Sequence, residues 1–169
     1  KLLAGDSPEP IIFLENPRDL GNTGAAIRVA AAAGAAGVIT TGEHDPWHPA
    51  VIRGSAGLHF ALPVIQIDNL LETDRPIIVL DPGTSDVPNI NVNSRTSDVQ
   101  NIDGVESLTP ETIPPRAILA FGGERYGLSE DLVNRAAKKV RIPMRPGVTS
   151  LNLATSVAVT LYTWKFGHS

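Results

Sequence analysis

Short apolar runs recur along the chain, separated by segments of mixed polarity. Ile11-Ile12-Phe13-Leu14, Ile77-Ile78-Val79-Leu80 and Ala117-Ile118-Leu119-Ala120-Phe121 are continuous rather than alternating, the pattern of strands buried on both faces. Val38-Ile39-Thr40, Val64-Ile65-Gln66-Ile67 and Val140-Arg141-Ile142 read as further strands. Between them the sequence predicts helices. One is Ala-rich, from about Thr23 to Ala33, and is ended by Gly34 and Gly37; a second covers Pro49 to Leu58. Asp68 is placed to cap a short helix through Glu72, and Ser129 to cap one running to about Ala137. The last helix begins at Ser150 or Leu151, with Leu151, Ala154, Ala158 and Leu161 at helical spacing. Strands alternating with helices predict an α/β fold, a mainly parallel sheet with helices on both faces. No repeat or linker divides the chain, so residues 1–169 are read as a single domain.

Residues 82–115 interrupt this alternation. Asn, Asp, Ser, Thr and Pro dominate, and only a short helix near Pro110 to Ile113 is predicted. A connection this long is uncommon unless it is functional.

A 169-residue chain with 42% hydrophobic and 19% charged residues suits one soluble globular core. The absence of cysteine excludes disulfides, thiolate metal sites and a catalytic thiol, and favours a cytoplasmic location. His44, His48, His59 and His168 lack metal-ligand spacing with carboxylates, so no metal is expected. The small-residue run Val29 to Ile39 is too short to span a bilayer, and no signal sequence is visible. The chain begins at Lys1 rather than Met, which leaves room for an N-terminal substrate-binding extension. A net charge of −4 argues against a surface that grips nucleic acid everywhere. One segment departs from that average: Arg116, Arg125, Arg135, Lys138, Lys139, Arg141 and Arg145 face only Glu124, Glu130 and Asp131, a candidate local basic surface.

Ligands of α/β sheets gather at the carboxyl ends of strands, which directs attention to three places. After the first strand come Glu15, Asn22, Gly24 and Arg28. The free N–H groups opening a helix favour a phosphate there; alternatively Gly24 only permits close helix packing and Arg28 pairs with Glu15. After the strand ending at Phe121, Gly122-Gly123-Glu124-Arg125-Tyr126-Gly127-Leu128 holds three glycines, which allow a ligand to approach the backbone or simply make a tight turn. It matches neither the dinucleotide fingerprint nor the P-loop. After the strand ending at Ile142, a proline-framed loop enters the last helix through Ser150-Leu151-Asn152. Ser150 serves as a cap, whereas a carboxamide at 152 suits a ligand better than it suits a helix interior. No GxSxG elbow or Ser/His/Asp set occurs. Trp164 and Phe166 read as packing or interface residues.

Taken in order, these motifs resemble those of the SpoU family of SPOUT RNA methyltransferases. The first is Glu15 followed by Asn22-Thr23-Gly24-Ala25-Ala26-Ile27-Arg28; the second is Phe121 to Leu128 followed by Ile142-Pro143-Met144; the third is Ser150-Leu151-Asn152-Leu153-Ala154-Thr155-Ser156-Val157-Ala158. The resemblance covers about residues 11–165, and the ordered set is more specific than any one motif. Gly123 and Arg125 stand at variable positions, and the 82–115 stretch is longer than a minimal member needs. Asp86, Asp98, Asp103, Glu106 and Glu111 against Arg95 mark that stretch as an insertion rather than an RNA contact.

The resemblance implies S-adenosyl-L-methionine (SAM) as cofactor, an RNA ribose 2′-hydroxyl as methyl acceptor, and a C-terminal trefoil knot over about Ala117 to Phe166. It implies SAM contacts from Leu80, Phe121, Gly122, Glu124, Ile142, Met144, Leu151 and Asn152. It places Arg28 at the hydroxyl, oriented by Asn22 and a substrate phosphate, with Ser150 and Asn152 positioning ribose or cofactor. Because guanidinium stays protonated, polarising the hydroxyl suits Arg28 better than removing its proton. A homodimer is implied, with both subunits completing each site and Tyr162 and Trp164 near the contact. Transfer RNA and ribosomal RNA are both compatible, and a short chain without an RNA-binding extension leans toward tRNA. Two other readings remain open, a nucleotide-using α/β enzyme and a catalytically silent RNA-binding homologue.

Overall fold

The computed structural model describes residues 2–80 and 104–168. Among the described residues seven strands form one sheet in the order β3-β2-β1-β6-β4-β7-β5, and each of its ladders is parallel. They are β1 Ile11–Glu15, β2 Gly37–Thr40, β3 Val64–Gln66, β4 Ile77–Leu80, β5 Val105–Ser107, β6 Ile118–Gly122 and β7 Lys138–Arg141. The helices are α1 Leu20–Ala33, α2 Pro49–Gly54, α3 Glu130–Arg135 and α4 Leu153–Gly167. Parallel strands all present their carboxyl ends at one edge of the sheet, and the candidate site lies there.

The continuous apolar runs are explained by two covered faces. Ile12 and Leu14 of β1 pack with Ala26, Ile27 and Ala30 of α1, Val51 of α2, and Val157 and Leu161 of α4. Ile11 and Phe13 turn the other way, toward Ile39, Val79, Ile118 and Leu132 of α3. The helices of the described residues therefore lie on both faces, α1, α2 and α4 on one and α3 on the other.

Small residues in α1 allow close approach. A Cβ on Gly24 would lie 2.4 Å from the Val51 carbonyl oxygen, so α1 and α2 meet backbone to backbone. Of the two readings of Gly24, close packing is the one the structure bears out. The expected Pro49–Leu58 helix stops at Gly54, and Gly57 (φ 77°) starts a separate 3-10 turn, Leu58–Phe60.

The expected helix Asp68–Glu72 does not form. Leu70 is buried beside α3, and the carbonyls of Leu70 and Leu71 accept from the two terminal nitrogens of Arg135, at 2.7 and 2.9 Å. An arginine on α3 thus satisfies two backbone acceptors of this irregular segment. α3 ends at Arg135 rather than Ala137, and β7 begins at Lys138, earlier than the expected Val140.

Within the polar stretch, Val105–Ser107 forms an unforeseen edge strand on β7, and the short helix near Pro110 appears as a 3-10 turn, Pro110–Thr112. The rest of that stretch, residues 81–103, lies outside the described residues, and with it the expected insertion carrying Asp86, Arg95, Asp98 and Asp103. α4 starts at Leu153 and buries Leu153, Val157, Thr160 and Leu161. The apolar stripe is therefore displaced from the expected one, and Leu151 stands outside the helix.

At the edge opposite the site, the Arg75 side chain is buried and donates to the carbonyls of Leu3, Gly5, Ser7, Glu9 and Arg116. Desolvation, reinforced by the nearby Arg116 charge, lowers its pKa. Among the described residues no helix is long and apolar enough to cross a membrane, and no group of three or more His, Asp or Glu is placed to hold a metal ion.

Candidate active site

The loop leaving β6 closes on itself before it offers anything to a ligand. Gly127 N–H donates to the Gly123 carbonyl at 3.1 Å. A Cβ on Gly122 would fall 2.2 Å from Gly127 C, and one on Gly123 2.4 Å from the Asn16 carbonyl oxygen. The glycines at 122 and 123 are thus required by contacts of the chain with itself.

Glu15, at the end of β1, holds the far end of this loop. Its carboxylate accepts from Ser129 N–H at 2.6 Å and from Ser129 Oγ at 2.7 Å. Ser129 Oγ in turn accepts from Leu132 N–H and caps α3, as expected. The alternative that Glu15 pairs with Arg28 is not realised.

Three side chains, one from each motif, form a polar relay. Asn152 is the N-cap of α4: its Oδ1 accepts from Ala154 N–H at 2.9 Å and Thr155 N–H at 3.4 Å. Capping was expected of Ser150, and Asn152 has taken it because the helix begins two residues later. With Oδ1 committed to the cap, Nδ2 points away and donates to Asn22 Oδ1 at 2.8 Å. That fixes the orientation of the Asn22 amide as well, leaving its Nδ2 to donate to Glu124 Oε1 at 3.3 Å. Glu124 Oε2 accepts from Arg18 N–H at 3.2 Å. Each amide and carboxylate in the relay has its donors and acceptors matched.

The relay forms one wall of a cavity of about 530 Å³. Leu80, Phe121 and Ile142, at the ends of β4, β6 and β7, contribute apolar lining. Gly122, Glu124, Met144, Ser150, Leu151, Asn22 and Asn152 line it as well. Every residue expected to contact SAM therefore borders a single cavity. Gly123, Gly127, Leu153 and Ser156, motif residues not assigned to the cofactor, also line it, as does Thr149 beside the third motif.

Arg28 is elsewhere. It is exposed on α1, does not line the cavity, and has no hydrogen bond or ion pair among the described residues. Nor is the start of α1 open to a phosphate as expected, because the Asp19 carboxylate already caps it, accepting from Asn22 N–H at 2.7 Å. Part of the basic segment is engaged within the fold. Arg116 pairs with Asp74 at 2.8 Å, Arg135 with Asp131 at 3.3 Å and Lys138 with Glu106 at 3.3 Å. Among the described residues Arg125, Lys139, Arg141 and Arg145 have no ion pair, so the candidate local basic surface is reduced to these four.

Residues 9–162 match the SpoU rRNA Methylase family. The chain is 31% identical over 184 residues to rRNA methyltransferase 3A, mitochondrial, of Danio rerio, covering 89% of this chain and 42% of that protein. It is 28% identical over 162 residues to the 23S rRNA (adenosine(1067)-2′-O)-methyltransferase of Streptomyces laurentii, covering 95% and 54%. Among solved structures it resembles the AdoMet-bound rRNA methyltransferase from Sinorhizobium meliloti, with a TM-score of 0.72, 26% identity, and coverage of 96% of this chain and 59% of that one. The chain thus spans about half the length of the curated relatives it matches. The family match runs through all three motifs, and the fold brings those motifs to one cavity: the chain belongs to the SpoU rRNA methylase family.

Proposed function

We propose that the chain transfers a methyl group from SAM to a ribose 2′-hydroxyl of RNA. The observation that carries this reading is the cavity at the carboxyl ends of β4, β6 and β7, lined by apolar Leu80, Phe121 and Ile142 and bordered by the Asn152–Asn22–Glu124 relay. Its size and mixed lining suit a cofactor with a flat heterocycle and a zwitterionic tail. Leu80, Phe121, Gly122, Glu124, Ile142, Met144, Leu151 and Asn152 would hold the cofactor, the apolar side chains against its ring and the polar groups at its tail, while Ser150 and Asn152 would position the ribose or cofactor. When bound, the cofactor supplies a methyl group activated by a sulfonium. The chain's own part is to orient the acceptor hydroxyl and exclude water.

In this proposal Arg28 polarises the hydroxyl from a second subunit. Support comes from its place, exposed and unpaired outside its own cavity, and from α4, which packs beside α1 and leaves Val159, Tyr162 and Phe166 exposed. Trp164 packs against its own core, so Tyr162 and Phe166 are the better interface candidates. The trefoil knot over about Ala117 to Phe166 belongs to the same reading. The two relatives are named for rRNA, and the acceptor is taken as rRNA or tRNA accordingly. The cytoplasm is retained as compartment; the Danio rerio relative is named mitochondrial, and fractionation of the source cells separates the two.

The test is transfer of tritium from methyl-labelled SAM to total RNA. A 2′-O-methyl group blocks alkaline cleavage of the adjoining phosphodiester, so the label is expected in alkali-resistant dinucleotides. Label in mononucleotides would mean base methylation. SAM binding without transfer would mean a silent homologue.

A further inference from the structure

The tip of the Gly122–Leu128 loop carries two residues that the cavity does not use. Gly122, Gly123, Glu124 and Gly127 line the cavity, whereas Arg125 and Tyr126 do not. Tyr126 is 67% exposed, too open for a packing residue. The Arg18 guanidinium carbon lies 5.2 Å from its ring centroid and that of Arg125 5.4 Å. Among the described residues neither guanidinium has a carboxylate partner, although the protein is acidic overall and Arg116, Arg135 and Lys138 are all paired. The arrangement is also held in place. Arg18 N–H is bonded to Glu124, and the glycines beside Tyr126 close the loop beneath it.

An exposed aromatic ring with two guanidinium groups over it, neither paired with a carboxylate, is what an unstacked nucleobase and its phosphates recognise. We propose that Tyr126, Arg18 and Arg125 form a stacking platform at the rim of the cavity, which takes an RNA base flanking the methylated ribose. The base stacks on the layered surface of ring and guanidinium, and the two arginines take phosphate charge. Stacking tolerates any base, so the platform positions the strand without choosing the sequence. This inference rests on the RNA methyl-transfer reading above.

Two measurements on the 169-residue chain test it. In the first, a fluorescently labelled octamer of oligoadenylate is titrated at low salt, and SAM affinity is followed by calorimetry. Tyr126→Ala is expected to weaken octamer binding by about tenfold or more, with Tyr126→Phe near wild type and SAM affinity unchanged for both. Arg18→Gln and Arg125→Gln are each expected to lower the slope of log affinity against log salt by about 0.7. Equal binding by wild type and Tyr126→Ala, or no binding by wild type, overturns the platform; so does a parallel loss of SAM affinity, which marks Tyr126 as structural. The second is methyl transfer to total RNA, where Tyr126→Ala is expected to raise the RNA KM with kcat little changed. Transfer by wild type with an unchanged KM in Tyr126→Ala sinks the platform alone, whereas no transfer by wild type sinks the methyltransferase reading and leaves the octamer titration to decide the platform.

Discussion

Asn152 Nδ2 donates to Asn22 Oδ1 at 2.8 Å, joining residues 130 positions apart in the chain. One amide does two jobs: its oxygen caps α4 and its nitrogen fixes Asn22, which in turn meets Glu124. The three motifs are therefore a single hydrogen-bonded unit in space, and disturbing one end is expected to be felt at the other.

Asn152→Asp and Asn152→Ala separate these jobs. Aspartate keeps an oxygen for the cap but sets it against Asn22 Oδ1 without a donor between them. Alanine loses both. Asn152→Ala is expected to cost about 1 kcal/mol of stability, the usual value of an N-cap, whereas Asn152→Asp costs little stability. Both are expected to weaken SAM binding in calorimetry. Full SAM affinity in Asn152→Asp would show that the relay does not shape the cavity.

Glu15 acts through Ser129. Its two charge-assisted bonds hold the end of the Gly122–Leu128 loop against β1. Glu15→Ala is expected to destabilise by about 1.5–3 kcal/mol, with Ser129→Ala falling within that effect, since both remove the same contact. A double-mutant cycle by urea denaturation measures the coupling. Additive losses would place the role of Glu15 elsewhere.

Much of this was legible in the chain. The buried strands announce themselves because a parallel strand covered on both faces must be apolar at every position, as Ile11 to Leu14 are. β5 was hidden for the opposite reason: it is a three-residue edge strand, half-buried and built of Val105, Glu106 and Ser107. In place of the Asp68–Glu72 helix stands an irregular segment whose Leu70 and Leu71 carbonyls meet Arg135, more than sixty residues away in sequence, a contact no local propensity reports. The same holds at the site. Residue types and order pointed to the cavity, but the cap passing from Ser150 to Asn152, and Glu15 choosing Ser129 over Arg28, are long-range outcomes of hydrogen-bond matching.

If Arg28 serves a partner's cavity, two inactive variants should rescue each other. Arg28→Ala and Asn152→Ala are each expected to abolish most methyl transfer. In a two-fold dimer formed from one of each, one site pairs an intact Asn152 with an intact Arg28, and the other site holds both lesions. Mixing equal amounts and allowing exchange should return about a quarter of wild-type activity, since about half the dimers are mixed and each has one good site. No recovery, with exchange verified by mass spectrometry, would mean that Arg28 acts within its own subunit or not at all.

Away from the site, Asp74 offers a pH test of the opposite edge of the sheet. Its pKa is lowered, first by the hydrogen bond from Arg116 and then by that residue's charge, while the pKa of Arg116 is correspondingly raised. A carboxyl group depressed in the folded state binds fewer protons there than in the unfolded chain, where its pKa is about 3.9. Its contribution is therefore fully present above that value and is lost as pH falls through the lower folded value. The Asp74 side chain is 71% exposed, so the effect is small and screened by salt. The Tm of wild type is expected to exceed that of Asp74→Asn at pH 6. The gap should narrow in 1 M salt and close as pH drops below the folded pKa. A gap that persists unchanged at pH 2 would show that Asp74 contributes through packing rather than through its charge.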